Sequence, residues 1–179
     1  MERREGRIAG VFTVELDVFG DDRGRFAEIF RREWFPGRAW DRLQVNRSHS
    51  GPGVLRGLHF HHFQADCWHC VAGSLRVGLY DLRRRSPTRG LGETLQLAGE
   101  SFRTLFIPPG VAHGYHTLAE ATFLYVVDQY YTGADEHGLA WDDPGLGLDW
   151  GVDPGRPPLI SHRDAVNPRL CDLDEADLP

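Results

Sequence analysis

The chain has 179 residues, 41% hydrophobic and 26% charged, enough for one compact core and short for two. A formal net charge of −6 argues against nonspecific nucleic-acid binding, whose affinity comes from cationic contacts to phosphates. All 20 basic residues are arginine and none is lysine, which excludes Schiff-base chemistry and a lysine general base.

In chain order, the start MERREGRIAG has basic residues with no apolar core behind them, so it does not read as a signal peptide. AGVFTVELDVF alternates as a strand and GDDRGRF reads as a turn. RFAEIF is a second strand, and RREWFPG a helical turn stopped by Pro36 and Gly37. LQVNRSHS, VLRGLHF, CWHCVAG and SLRVGLYDL follow as strands, the last with Leu75, Val77 and Leu79 on one face. ETLQLAG, RTLFIPPG, AHGYHTL and TFLYVVDQYY complete a set of about ten strands at sandwich-like spacing. From DDPGLGLDW onwards the chain is rich in Pro, Gly and Asp and reads as loop with at most one short helix. The pattern predicts an all-β fold, a double-sheet β-sandwich or jelly roll, in one domain with its core over about residues 8–150 and a tail over 151–179. No apolar run approaches the roughly 20 residues that span a bilayer. Three cysteines, an odd number, make no secreted disulfide framework, so the expectation is a soluble cytoplasmic protein without membrane or nucleic-acid partners.

The densest chemistry lies in GLHFHHFQADCWHC, residues 57–70, with four histidines, two cysteines and an aspartate. On a strand His59 and His61 point to one face, roughly 6.5 to 7 Å apart, while His62 points to the other. IPPGVAHGY supplies a further strand-borne histidine, His113. CWHC has no second CxxC and no βαβ pattern around it, so Cys67 and Cys70 read as strand residues that bind nothing.

The ordered motifs RGRFAE, GVLRGLH, SPTRG, PPGVAHG, FLYVVDQYY, WDDP and SHRD resemble the dTDP-4-dehydrorhamnose 3,5-epimerase family over about residues 8–170. The resemblance implies a cupin-type jelly roll, a homodimer, no required cofactor, and a nucleoside-diphosphate-linked 4-keto-6-deoxyhexose as substrate. In such a sugar the C4 ketone acidifies the neighbouring C–H bonds, and a base and an acid exchange the proton between faces. On the family pattern His59 is the base, with Asp164 pairing to its other ring nitrogen, and Tyr125 is the acid. Arg56 contacts phosphate and Tyr131 stacks on the nucleobase, while Arg23, Phe26, Glu28, Gln44 and Asn46 help hold the nucleotide. His116 joins the substrate-binding set, and were His59 a metal ligand, Tyr125, His116 or His69 would carry the proton.

The chain departs from this pattern twice. His61 stands where the family has glutamine, and Asp66, seven residues before Gly73, stands where it has a catalytic lysine. Loss of one enolate-stabilising donor costs about 3 to 4 kcal/mol. The same two positions bring the chain close to the metal-binding cupin pattern, which it is similar to in Gly53, His59, His61, Asp66, Gly73, Pro108, Gly110 and His113. His59, His61, Asp66 and His113 are therefore candidate ligands for Zn²⁺, Fe²⁺, Mn²⁺ or Ni²⁺. A metal on the C4 oxygen would do the work of the lysine. His59 cannot be ligand and free base at once, so the two schemes compete for it. A metal cupin enzyme on another small molecule, a sugar 3,4-ketoisomerase and a non-catalytic binding protein remain as alternatives.

Overall fold

The structure is a computed structural model that describes residues 2–35 and 37–179. Pro36, expected to stop the helical turn, lies outside the described residues; the turn itself is a 3₁₀ turn over Arg32–Trp34.

The described residues form β1 (Glu2–Glu5), β2 (Phe12–Glu15), β3 (Val18–Asp21), β4 (Gly24–Ala27), β5 (Gln44–Ser50), β6 (Leu55–Phe60), β7 (Asp66–Ala72) and β8 (Ser74–Asp81). They continue with β9 (Gly92–Ala98), β10 (Arg103–Ile107), β11 (Val111–Thr117), β12 (Ala121–Val127), β13 (His137–Gly138) and one helical turn, α1 (His162–Ala165). One sheet has the order β1-β2-β10-β7-β12-β5, the other β13-β6-β11-β8-β9, and β3 and β4 form a separate hairpin. Among the described residues every pairing between these strands is antiparallel. This is the double-sheet jelly roll that the strand spacing predicts, of the cupin type that the family resemblance implies.

Two segments differ from the sequence reading. AGVFTVELDVF does not stay one strand: β2 joins the large sheet, while β3 leaves it to pair with β4. β1 is the run ERRE, every residue exposed. It is held by backbone pairing to β2 rather than by an apolar face, so no hydrophobic alternation announces it.

Trp68 and Leu105 of the large sheet pack in one buried cluster with Leu75, Leu79 and Tyr115 of the other, so the two sheets face each other. The back of the large sheet, at Phe12, Cys67, Phe106 and Val126, is covered by Phe35 and Trp40. The back of the other sheet is covered by the chain beyond β13, where Leu139, Leu146 and Trp150, with Leu178 of the tail, pack on Leu55, Leu58 and Tyr80. Trp150 explains a glycine in mid-strand: a Cβ on Gly78 would stand 2.4 Å from the indole. The tail is loop-like in its backbone but part of the hydrophobic core.

Candidate active site

A cavity of about 720 Å³ opens between the sheets, lined from β5, β6, β7, β11 and β12 and from the segments around Glu136 and Ser161. Its size is that of a small-molecule site.

His59 lies on β6, opposite His113 of β11 and Gly138 of β13. Its Nε2 donates to Asp164 Oδ1 at 2.8 Å, which leaves Nδ1 as the unprotonated nitrogen. Ser161 caps α1 by accepting from Asp164 N at 3.1 Å, fixing where the carboxylate starts. The other carboxylate oxygen accepts from Gly57 N at 3.1 Å. Gly57 has φ +116°, and a Cβ there would come within 2.8 Å of Gly114 and His113 backbone atoms. Burial pushes the Asp164 carboxyl up, but the hydrogen bonds and charge of His59, with the Gly57 N–H, outweigh it and hold it below the usual carboxylate range. Asp164 therefore stays anionic and orients His59.

His61, Asp66 and His113 form a second group in the same cavity, each offering one donor atom within 4.8 Å of the others. Asp66 Oδ1 accepts from Gln64 Nε2 at 2.8 Å and Oδ2 from the Trp68 indole at 3.2 Å. His113 Nε2 stands 3.3 Å from Asp66 Oδ2. Burial pulls the His113 imidazole down, but the bond to Asp66 outweighs it and raises it. Burial pushes Asp66 up, and His113 outweighs that in turn, leaving the carboxyl lowered. Burial, and then the charge of His113, push the His61 imidazole down. His59 is not a member of this group: its Nε2 is committed to Asp164, which corrects the expectation of four converging ligands to three.

Tyr125 lines the cavity from β12, next to Asn46 and Trp68 in register. Burial, then the Asp66 carboxylate, push its phenol up, so it holds its proton through the neutral range. Gln44, Asn46 and Ser48 alternate along β5 onto the cavity. Gln44 accepts from Tyr131 N at 3.1 Å and donates to Asn46 at 2.8 Å. Tyr131, 65% exposed, stands at the rim with Arg56.

The cavity lining excludes other predicted residues. His116 donates its Nδ1–H to Trp150 O at 2.9 Å on the far side of β11. His113 and Tyr115 face in, so strand alternation turns His116 away. His69 faces away from the cavity for the same reason, beside Asp66 and Trp68 on β7, and reaches Arg103 O at 3.0 Å. Arg23, Phe26 and Glu28 do not line this cavity either. They sit on or beside the β3–β4 hairpin, where Arg23 pairs with Asp21, Glu28 pairs with Arg31, and Phe26 is 69% exposed. His62 packs edge-on against His137, outside the cavity. Cys67 and Cys70 are free and lie in different core clusters.

Four further residues matter here. Trp68 was legible as a same-face neighbour two positions after Asp66. Asp135 accepts from the backbone N–H groups of His62, Phe63 and Gln64 at 2.7, 3.0 and 3.3 Å, and its carbonyl accepts from His61 Nδ1. Glu136 accepts from Arg163 at 2.9 Å and, with Tyr131 also bonded to it, is held below its usual range against the push of burial. Asp135 and Glu136, with the fourth residue, Ser161 at the cap of α1, come from an irregular loop and a short tail helix, where no periodicity marks a side chain's direction.

The family model described as dTDP-4-dehydrorhamnose 3,5-epimerase matches residues 5–172. The chain belongs to the dTDP-4-dehydrorhamnose 3,5-epimerase family. It is 37% identical over 174 residues to the Shigella flexneri dTDP-4-dehydrorhamnose 3,5-epimerase, covering 93% of this chain and 94% of that one. The solved rmlC epimerase of Mycobacterium tuberculosis superposes with a TM-score of 0.92 at 35% identity, covering 100% of this chain and 94% of that one. The Legionella pneumophila dTDP-6-deoxy-D-glucose-3,5-epimerase, solved in complex with dTDP-4-keto-L-rhamnose, gives a TM-score of 0.91 at 32% identity, covering 99% and 97%. Within this epimerase family the chain carries Asp66 and His61 in the cavity, hydrogen-bonded into it rather than turned to solvent. No helix among the described residues is long and apolar enough to cross a membrane.

Proposed function

We propose that the chain epimerises a dTDP-linked 4-keto-6-deoxyhexose by moving a proton at a carbon next to the C4 ketone. The observation that carries this is the His59–Asp164 pair, with its Nδ1 free to accept, in one cavity with a protonated Tyr125. His59 Nδ1 takes the C–H proton and becomes imidazolium, which the Asp164 carboxylate stabilises through Nε2–H. The electron pair of the broken C–H bond delocalises onto the C4 oxygen as an enolate. Tyr125 then returns a proton to the opposite face of the carbon, and the ketone re-forms. No redox step occurs, so the proton transfer itself asks for no nicotinamide or flavin.

Gln44, Asn46, Arg56 and Tyr131 hold the nucleotide at the mouth, Arg56 by charge on the diphosphate and Tyr131 by stacking. The β3–β4 hairpin carries Phe19 and Phe26 exposed at 66% and 69%, outside either main sheet. A twofold homodimer that buries this hairpin would bring Arg23, Phe26 and Glu28 to a second copy's cavity. The chain works as a single domain, in the cytoplasm, where its free cysteines stay reduced.

Incubation with dTDP-4-dehydro-6-deoxyglucose in D₂O, followed by proton NMR, tests the reading. Deuterium incorporation at C3 or C5 with inversion is expected, and His59→Asn abolishes it. Absence of exchange together with absence of dTDP affinity by calorimetry overturns the reading, and a product whose ketone has moved to C3 replaces it with ketoisomerisation.

A further inference from the structure

We propose that His61, Asp66 and His113 form a binding site for one divalent first-row transition metal ion, with a coordination position open to the cavity.

The argument starts from the ring nitrogens. His113 donates Nδ1–H to Val111 O at 2.9 Å, and His61 donates Nδ1–H to Asp135 O. In the neutral tautomer both rings therefore present a lone pair at Nε2, the atom that binds a metal. The carboxylate between them is aimed by Gln64 on one oxygen and by the Trp68 indole on the other. Every one of the three donors thus has a partner behind it that sets its direction, the arrangement that orients metal ligands. Asp135 adds rigidity by holding three successive backbone N–H groups of the loop that follows His61.

Distance agrees with direction. Ligand atoms about 2.0 to 2.2 Å from a tetrahedral ion stand roughly 3.3 to 3.6 Å from one another. His113 Nε2 and Asp66 Oδ2 are already 3.3 Å apart. The full trio fits within 4.8 Å, so closing on an ion asks for about 1 Å of movement. Two imidazoles and one carboxylate select Zn²⁺, Fe²⁺, Mn²⁺ or Ni²⁺ over Mg²⁺ or Ca²⁺, which prefer all-oxygen shells. All three residues are buried yet line the cavity, so the fourth position faces whatever the cavity holds. Three protein ligands with an open position is the pattern of a catalytic rather than a structural ion. The role, though not the site, rests on the proposed epimerisation: the ion would neutralise charge developing on the C4 oxygen while His59, bound to Asp164 and outside the trio, remains the base.

The test uses tag-free full-length protein, stripped with chelator and titrated separately with Zn²⁺, Ni²⁺ and Co²⁺ by calorimetry. Saturable binding of about one ion per chain is expected for at least one of these metals. His61→Gln, which leaves the Asp66–His113 contact in place, and Asp66→Asn should each weaken binding about 100-fold or more, while His62→Gln leaves it unchanged. Circular dichroism confirms that each variant is folded. Co²⁺-loaded protein should show visible absorption of the intensity given by four- or five-coordinate ions. Failure of all three metals to bind overturns the site. So does binding that survives both cavity variants and is lost in His62→Gln, which would place the ion on the outer His62–His137 surface. Turnover in D₂O is read separately. Metal binding without turnover refutes the epimerase reading and leaves the site, whereas full turnover of the chelated protein refutes the catalytic role of the ion.

Discussion

Replacing Asp164 by asparagine keeps the size of the side chain and removes its charge. In the wild type the carboxylate accepts from His59 Nε2 at 2.8 Å and from Gly57 N at 3.1 Å. A hydrogen bond to a charged group is worth about 1.5 to 3 kcal/mol, and this one strengthens when His59 becomes imidazolium in the transition state. At about 1.4 kcal/mol per tenfold in rate, that loss alone slows turnover roughly 10- to 150-fold. A second effect adds to it. The asparagine oxygen can still serve Gly57 N–H, which turns the amide NH₂ towards Nε2 and forces the proton onto Nδ1. The nitrogen meant to accept the substrate proton is then already occupied, and wrong-tautomer variants of this kind lose as much as about 10⁴ in kcat. The expected fall in kcat is therefore roughly 10² to 10⁴, with KM changed by a few-fold at most. Initial rates of deuterium incorporation from D₂O, measured by NMR on wild type, Asp164→Asn and His59→Asn, supply the comparison. A folded Asp164→Asn protein that exchanges at more than a tenth of the wild-type rate would refute the orienting role of the pair.

Three further outcomes follow from the same structure. Trp150→Ala opens the space against which Gly78 packs and should destabilise the fold by about 3 to 5 kcal/mol in urea melts; a loss under 1 kcal/mol would mean that the segment around Trp150 is not part of the core. Asp81, buried and bonded to Arg83, Ser86 and Thr88, has a carboxyl held below its usual range despite the opposing push of burial. Its contribution is thus fully present above its unfolded pKa of about 3.9 and is lost as pH falls through the lower folded value. Asp81→Asn should cost about 3 kcal/mol near pH 7, with the gap to wild type narrowing below about pH 4 in thermal melts, and a gap constant with pH would contradict this. Phe26→Glu places a charge on the exposed hairpin and should turn a dimer into monomers by sedimentation, whereas an unchanged sedimentation coefficient removes the hairpin from the interface.

Strand alternation made much of the architecture and part of the cavity legible, because period-two spacing fixes a face as soon as a strand is recognised. It puts His113 and Tyr115 inward, and Asp66 with Trp68. The same rule, applied to His116 and His69, turns both out of the cavity, so neither can carry the proton that a metal-bound His59 would leave unserved. Ser161, Asp135 and Glu136 escaped because capping and backbone-carbonyl contacts depend on where irregular segments cross in space, with no repeat along the chain to announce them. β1 escaped for a related reason: its pairing to β2 is made by backbone groups and leaves no mark in ERRE.

The cavity holds two histidine–carboxylate pairs, and what separates their chemistry is the nitrogen each histidine has left over. His59 gives Nε2–H to Asp164 and keeps Nδ1 unpaired in a half-buried position, so it has somewhere to receive a proton. His113 gives Nδ1–H to Val111 O and points Nε2 at Asp66, so both of its nitrogens are engaged and it has no free site for a substrate proton. Its Nε2 can change occupant only by exchanging its proton for another cation shared with Asp66, and His61 offers a ring nitrogen within 4.8 Å of both partners. On the proposed reading, similar side chains serve as a base near the end of β6 and as a ligand just past that same end, because β6 runs through Gly57 and His59 to end at Phe60, immediately before His61. Two residues of extended chain carry the cavity from proton transfer to charge stabilisation, and a substitution that shifted the register of β6 by one position would turn both functions out of it together.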